Sequence, residues 1–319
     1  MQPLTTQHAT LRSIALEAVR ALYAEVALEP KPGLVSFRDN GSHTDMTAST
    51  FFKSLFALRH YFGHMACAGA QALPFGELQA LGLEAESRML RATDGINTHR
   101  GAVFALGLLC AAAGRLVAQG YAVRGSALRT VLLTQWGDAL RLRASAAAKA
   151  TPTSNGQRAA RKYQLRSAGE EAALGFPTVF EVTLPALQQA LQRGHGLRAA
   201  RVQAFFATMA VLDDTNTAHR GGWAGAQFVK QSAQAFLDAG GVDQPGWVEV
   251  ARNTHAAFVA RRLSPGGAAD VLACACWVHA LTHTDTRAHS ASASTLTPAP
   301  ELASASHNST DCITALAAA

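Results

Sequence analysis

Two short stretches of this chain repeat one another in a way a linker has no reason to do. Asp94-Gly95-Ile96-Asn97-Thr98-His99-Arg100-Gly101 and Asp214-Thr215-Asn216-Thr217-Ala218-His219-Arg220-Gly221 each place a histidine five residues after an aspartate and follow it with Arg-Gly. In both, Asn and Thr supply N-cap candidates just ahead of a helical pattern, so each His-Arg pair is predicted at a helix N-terminus. Such an end attracts phosphate through its free amides and dipole, and arginine adds a bidentate donor. Asn97, Thr98, Arg100, Asn216 and Arg220 are therefore phosphate-binding candidates, and His99 and His219 are acid-base candidates. The bland alternative is that Asn and Thr only cap while His and Arg face water.

A third polar segment, EPKPGLVSFRDNGSHTDM, runs from Glu29 to Met46. Prolines on both sides of Lys31 stiffen its backbone, which suits an ammonium presented to a phosphate. Asn40-Gly41 permits a tight turn whose amides can face an anion, and His43 and Asp45 add an acid-base group and a possible metal ligand. Turn chemistry alone would also account for these residue types. Asp213 and Asp214 are consecutive carboxylates at the end of an apolar helical pattern. Adjacent helical residues diverge by about 100 degrees, so both reach one Mg²⁺ only if the chain turns there. Otherwise one is a surface acid and the other an N-cap. Oxygen ligands without His/Cys pairing point to magnesium rather than zinc. Glu25, Glu84, Asp270 and Glu170-Glu171 carry less pattern and read as solvated helix faces.

The elements that must position these residues are helices. Leu11, Ile14, Ala15, Ala18 and Leu22 keep one helix face, as do Phe51, Phe52, Leu55, Phe56 and Phe62, and then Val202, Phe205, Phe206, Met209 and Leu212. These aromatic spacings read as core. Ser264-Pro265 marks a further start, opening an apolar helix to about Leu281. Val179 to Leu184 is the one stretch with strand character, weakened by neighbouring prolines. Ala144 to Arg161 reads as an exposed connection. The 319 residues are 49% hydrophobic, 16% charged and 7% aromatic, which favours one packed helical domain over a β-sandwich or a disordered chain. The expected fold is all-α: a single multi-helix globular domain over residues 1–283. Residues 284–319, rich in Ser, Thr, Ala and Pro, are expected as a disordered low-complexity tail.

A net charge of +6 suits polyanionic partners. The basic residues are dispersed and no groove-reading motif occurs, so nucleic acid is not expected. Cys67, Cys110, Cys274, Cys276 and Cys312 lack CxxC spacing and are expected as reduced thiols. No signal peptide is legible and the apolar run Gly101 to Gly114 is too short to span a bilayer, so a cytoplasmic protein without a membrane partner is expected.

In order along the chain, EPKPGLV, NGSHTDM, GINTHRGAVFALGLL, GFPTVFEVTLPAL, LDDTNTAHRGG and SPGGAADVLA resemble the triphosphoribosyl-dephospho-CoA synthase family over about Ile14 to Leu281. VSFRDNGSHTDM and VLDDTNTAHRGG are most similar to the branch serving malonate decarboxylase rather than citrate lyase. The resemblance implies that the 2′-hydroxyl of 3′-dephospho-CoA attacks the anomeric carbon of ATP's ribose, with adenine leaving. The product would be the prosthetic-group precursor used by a holo-acyl-carrier-protein synthase. It also implies site roles for Lys31, Asn40, Gly41, His43, Asp45, Asn97, Thr98, His99, Arg100, Asp213, Asp214, Asn216, His219 and Arg220, with Mg²⁺ as cofactor. Gln164, Ser167 and Gly169 stand where the family pattern has Gly, Gly and Arg, and Asn155 where it has His. Two other classes share these residue types: a magnesium-dependent N-glycoside or ADP-ribose hydrolase, and a nucleotide-binding accessory protein without catalysis.

Overall fold

The computed structural model describes residues 4–292, with side chains from residue 7 to 282. Thirteen α-helices fill these residues: α1 Leu4–Val26, α2 Ala48–Leu58, α3 Tyr61–Ala70, α4 Phe75–Ala92, α5 Arg100–Ala118, α6 Gly125–Lys149 and α7 Asn155–Tyr163, followed by α8 Ala168–Ala173, α9 Leu184–Gln192, α10 Leu197–Val211, α11 Thr215–Asp238, α12 Trp247–Ala260 and α13 Gly266–Ser292. No strand occurs among the described residues, as composition predicts.

The centre is α5, a nearly all-apolar helix packed against α1, α3, α4, α6 and α13. Its small residues let α3 come close. A Cβ on Gly69 would overlap the Ala111 carbonyl, and one on Gly114 would overlap the Ala66 carbonyl, so the two backbones touch where both helices carry glycine. By length and composition α5 would pass for a membrane span, yet most of it is buried in the protein, as a core helix must be. One contiguous apolar core reaches from Leu11 to Leu281 and binds α9, α10 and α13 to this centre.

Several boundaries differ from the pattern reading. The aromatic run breaks at Arg59-His60, so Phe62 belongs to α3, while Phe52 and Phe56 face solvent rather than core. The segment from 144 to 161 is mostly helical, with only 150–154 between α6 and α7. Ser154 and Gln157 form a capping box there, so turn-type residues mark a helix start and not a long loop. The stretch with strand character forms a π-helical turn, Thr178–Thr183, whose β-branched residues pack onto α9, α10 and α13. Burial in helical surroundings overrides their local preference. Helix α13 continues to Ser292, past residue 283 where the composition changes, and residues 293–319 of the expected tail lie outside the described residues. Cys110, Cys274 and Cys276 are buried free thiols, and Cys312 lies outside the described residues.

Candidate active site

The N-termini of α5, α11 and α13 meet the loop between α1 and α2, and polar residues from all four segments converge there. Asp214 is the N-cap of α11. Its Oδ1 accepts the backbone N–H groups of Asn216 (2.9 Å) and Thr217 (3.1 Å), and Oδ2 accepts that of Ala268 (3.0 Å) at the start of α13. One buried carboxylate thus ties two helix starts together. Glycine at 267 eases this approach, because a Cβ there would lie a tight 3.0 Å from Asp214 Oδ2. Burial raises the Asp214 pKa, while the amides of Ala268, Thr217, Asn216 and Gly267 oppose the shift.

Asp270, one turn further along α13, reaches the start of α5. It accepts the Ala102 N–H, and a Cβ on Gly101 would overlap its carboxylate. Burial, then the charges of Glu25 and Asp214, push its pKa well up, with the Ala102 amide opposing. The Arg100-Gly101 pair therefore needs its glycine to admit this side chain. His99, and not Asn97 or Thr98, is the N-cap of α5 and makes no side-chain cap bond; Asn97 accepts the Arg100 N–H at 3.2 Å at the surface, and the Thr98 hydroxyl is buried without a hydrogen-bond partner.

The three candidate histidines occupy unlike surroundings. His99 is buried under α2, with Nδ1 2.6 Å from Ser54 Oγ, its ring edge-on to Phe51 and Nε2 without a partner. Burial, and then the nearby Lys31 charge, depress its pKa to about 3. It is a neutral packed ring, poorly suited to proton transfer at neutral pH. His219 is exposed on α11. His43 lies between the groups: Nε2 is 2.8 Å from Ser264 Oγ, and Nδ1 is 3.4 Å from Arg220 Nη1 and 3.5 Å from Asp45 Oδ1. Arg220 approaches Nδ1 as a donor and Asp45 as an acceptor, so the neutral ring can satisfy only one of them there, Arg220 when its proton is on Nε2. Burial and Arg220 lower the His43 pKa, with Asp45 opposing them.

Arg220 spans the convergence, donating to Arg262 O (2.9 Å) and Ser42 O (2.6 Å). Its placement depends on Gly222, whose φ of 64° and ψ of −166° break α11 just after the His-Arg pair, in a region only glycine enters readily. Gly41 turns the first loop at φ 55°, and a Cβ there would lie 2.6 Å from the Leu34 carbonyl. The Asn40 carbonyl closes that turn by accepting the His43 N–H at 3.1 Å.

Lys31 departs from its expected role. Its ammonium points inward, 2.5 Å from Glu25 Oε1 and 2.7 Å from the Glu25 carbonyl, and both side chains are buried. The flanking prolines hold this inward turn and do not present a free cation. Arg100 is paired with Glu86 on α4. The acidic pair is likewise engaged: Asp213 takes Lys230 Nζ (2.7 Å) and the Arg166 N–H (3.2 Å), while Asp214 is filled by backbone amides. Asp213 and Asp214 as arranged do not fit a shared magnesium site. Among the described residues no group of three or more His, Cys, Asp or Glu side chains converges as a metal cage.

Sequence reading passed over Glu25 and Asp270 as solvated acids. For Glu25 the signal was present, because it continues the stripe through Leu11, Ile14, Ala18 and Leu22 at the next i+3 step. Asp270 sits in an otherwise apolar helical run, and only the tertiary contact with Gly101 explains it.

Residues 11–288 match the model of the CitG family, described as ATP:dephospho-CoA triphosphoribosyl transferase. The chain belongs to this family. The triphosphoribosyl transferase family assignment agrees with individual relatives. A 2-(5''-triphosphoribosyl)-3'-dephosphocoenzyme-A synthase of Pectobacterium atrosepticum is 39% identical over 270 residues, covering 83% of this chain and 87% of the relative. A protein of Acinetobacter calcoaceticus, named a probable synthase of the same kind, is 37% identical over 267 residues, covering 84% and 89%. No solved structure matches the chain. As a member of the triphosphoribosyl transferase family the chain is an enzyme, a transferase, and the convergent helix starts are its candidate active site.

Proposed function

We propose that this chain joins the triphosphoribosyl group of ATP to the 2′-hydroxyl of 3′-dephospho-CoA and releases adenine. The bond from the ribose anomeric carbon to adenine breaks as the bond to the acceptor oxygen forms. The hydroxyl loses a proton and adenine gains one. Family membership gives the reaction class, and the meeting of the α5, α11 and α13 starts around His43 and Arg220 is the observation that carries the reading to a place. His43 is the proposed base: its lowered pKa keeps the ring neutral, and with the proton on Nε2 its Nδ1 lone pair, now turned toward Arg220, takes the hydroxyl proton when substrate displaces that contact. Arg220, and Arg100 once parted from Glu86, supply charge to the triphosphate. Asp45, beside His43, and Asn216, beside Gly266, belong to the same region.

Magnesium enters this reading as the counter-ion of ATP, held by the substrate's own phosphates, since the acidic pair is already occupied. VSFRDNGSHTDM and VLDDTNTAHRGG support malonate decarboxylase as the consumer of the product, by way of a holo-acyl-carrier-protein synthase in the cytoplasm. Mass spectrometry of a reaction with ATP, magnesium and dephospho-CoA tests the proposal. Adenine and a dephospho-CoA adduct heavier by the triphosphoribosyl unit are expected, and His43→Gln should lower kcat by roughly 10²–10⁴-fold. Release of ADP or phosphate would place the attack at phosphorus and end the reading. Adenine release at full rate without dephospho-CoA would make the enzyme a hydrolase.

A further inference from the structure

Three large aromatic side chains stand half-exposed and in mutual contact beside the candidate active site, in a chain with few aromatics. Tyr23 comes from α1, Phe37 from the following loop and Phe52 from α2, with exposures of 48%, 50% and 42%. Phe37 and Phe52 stack at 5.5 Å with 24° between their planes, and Tyr23 leans on them at 5.8 and 6.0 Å. Single exposed apolar residues need no explanation, but a contiguous patch built from three elements does.

Next to it lies a cluster of three arginines. Glu29 is shared by Arg198 (2.9 Å), Arg252 (3.1 Å) and Arg38 (3.5 Å), all of them substantially exposed. Three guanidiniums gather on Glu29, with Glu249 facing Arg252 and Asp39 pairing with His255 nearby, and most of the N–H forks are unused. The two clusters are joined by consecutive residues, Phe37 and Arg38, in a turn closed by Ser36 N–H to Asp39 O (2.9 Å). The same loop continues to Ser42 and His43, and Phe51, beside Phe52, touches His99.

We infer that Tyr23, Phe37 and Phe52 with Arg38, Arg198 and Arg252 form the subsite for the adenosine diphosphate half of dephospho-CoA, the rings stacking on adenine and the arginines holding the diphosphate. This rests on the proposed function. Aromatic faces accept a base without needing its sequence-specific edge, and arginine forks match phosphate oxygens. A bridging diphosphate carries two negative charges, which the open N–H forks of the three guanidiniums can pair. The more highly charged triphosphate of ATP goes with Arg220 in that reading. The acceptor hydroxyl belongs to the same adenosine, so a subsite on the His43 loop also brings it toward the base.

Titration calorimetry on the full chain, with one substrate at a time and no turnover, tests this. Phe37→Leu, which keeps apolar packing but removes the stacking face, and the pair Arg38→Gln with Arg252→Gln should each weaken dephospho-CoA binding by about tenfold or more. ATP affinity and the thermal melt should stay close to wild type. ADP should show the same losses, and 4′-phosphopantetheine, lacking both base and diphosphate, should compete poorly. Unchanged dephospho-CoA affinity in folded variants would overturn the inference. So would an equal loss for ATP, or a patch that only holds two copies of the chain together, seen as a dimer dispersed by Phe37→Leu without loss of dephospho-CoA affinity. Failure of the proposed function looks different: wild type would bind dephospho-CoA at this patch yet release no adenine.

Discussion

The three candidate histidines differ at the level of single residues because each meets a different environment. His99 is the clearest case, since burial and Lys31 hold its pKa near 3 against an unfolded value of 6.5. A histidine whose folded pKa is depressed binds fewer protons than in the unfolded chain, so its stabilisation is full above pH 6.5 and is lost as pH falls toward 3. Stability should therefore drop over that window. His99→Gln should flatten the profile there by up to about 1.4 kcal/mol per pH unit, measured by urea unfolding at a series of pH values. An unchanged slope would mean that the ring is not held neutral. Lys31 gives a second test. Removing one member of a buried ion pair strands the other charge, so Lys31→Met should cost about 3–5 kcal/mol, whereas Lys31→Met with Glu25→Leu should recover much of it. A phosphate-binding lysine would instead show normal melting and weak ATP binding.

At the scale of elements, the site is an arrangement of helix starts, and Asp214 is the residue that joins two of them. Asp214→Ala should destabilise the protein by about 2–4 kcal/mol, the loss of a cap together with a buried charge-assisted network. Asp214→Asn should cost less, because one side-chain oxygen still accepts. A wild-type melting temperature for Asp214→Ala would remove the joining role. The departures from the family pattern also act at this scale. Gln164 ends α7 in the left-handed conformation at φ 54°, which explains glycine's place there in the family pattern. Ser167, where another glycine is usual, starts α8 with a capping box to Glu170. Both are adjustments of helix ends.

Across the whole molecule, the common core keeps these starts in register, and its tightest point is the crossing of α3 and α5. Gly114→Val would drive a branched side chain into the Ala66 carbonyl, with no flexible neighbour to yield. Overpacking of this kind should cost at least about 1–3 kcal/mol, and circular dichroism melts would show it. Because the helix starts hang from the same core, dephospho-CoA turnover should fall along with the melt. A variant with wild-type stability would mean that the crossing is looser than its geometry implies.

Much of this protein follows from local sequence physics. The 3.6-residue spacing and alanine-rich composition specify helices, and the echoed Asp-to-His-Arg-Gly motifs announce two helix starts with polar work to do. Their order along the chain is enough to indicate the family. Side-chain environment is another matter, because it depends on what other segments bring. Nothing within EPKPG says that Lys31 turns inward to Glu25, and nothing within LDDT says that one aspartate caps two helices while the other meets Lys230. The stripe through Phe51 and Phe52 shows a helix, but only the position of α2 beside α1 and the first loop decides that Phe52 meets Phe37 and Tyr23 at the surface. Periodicity is a property of one helix. Burial, and with it pKa and pairing, is a property of the helices packed around it.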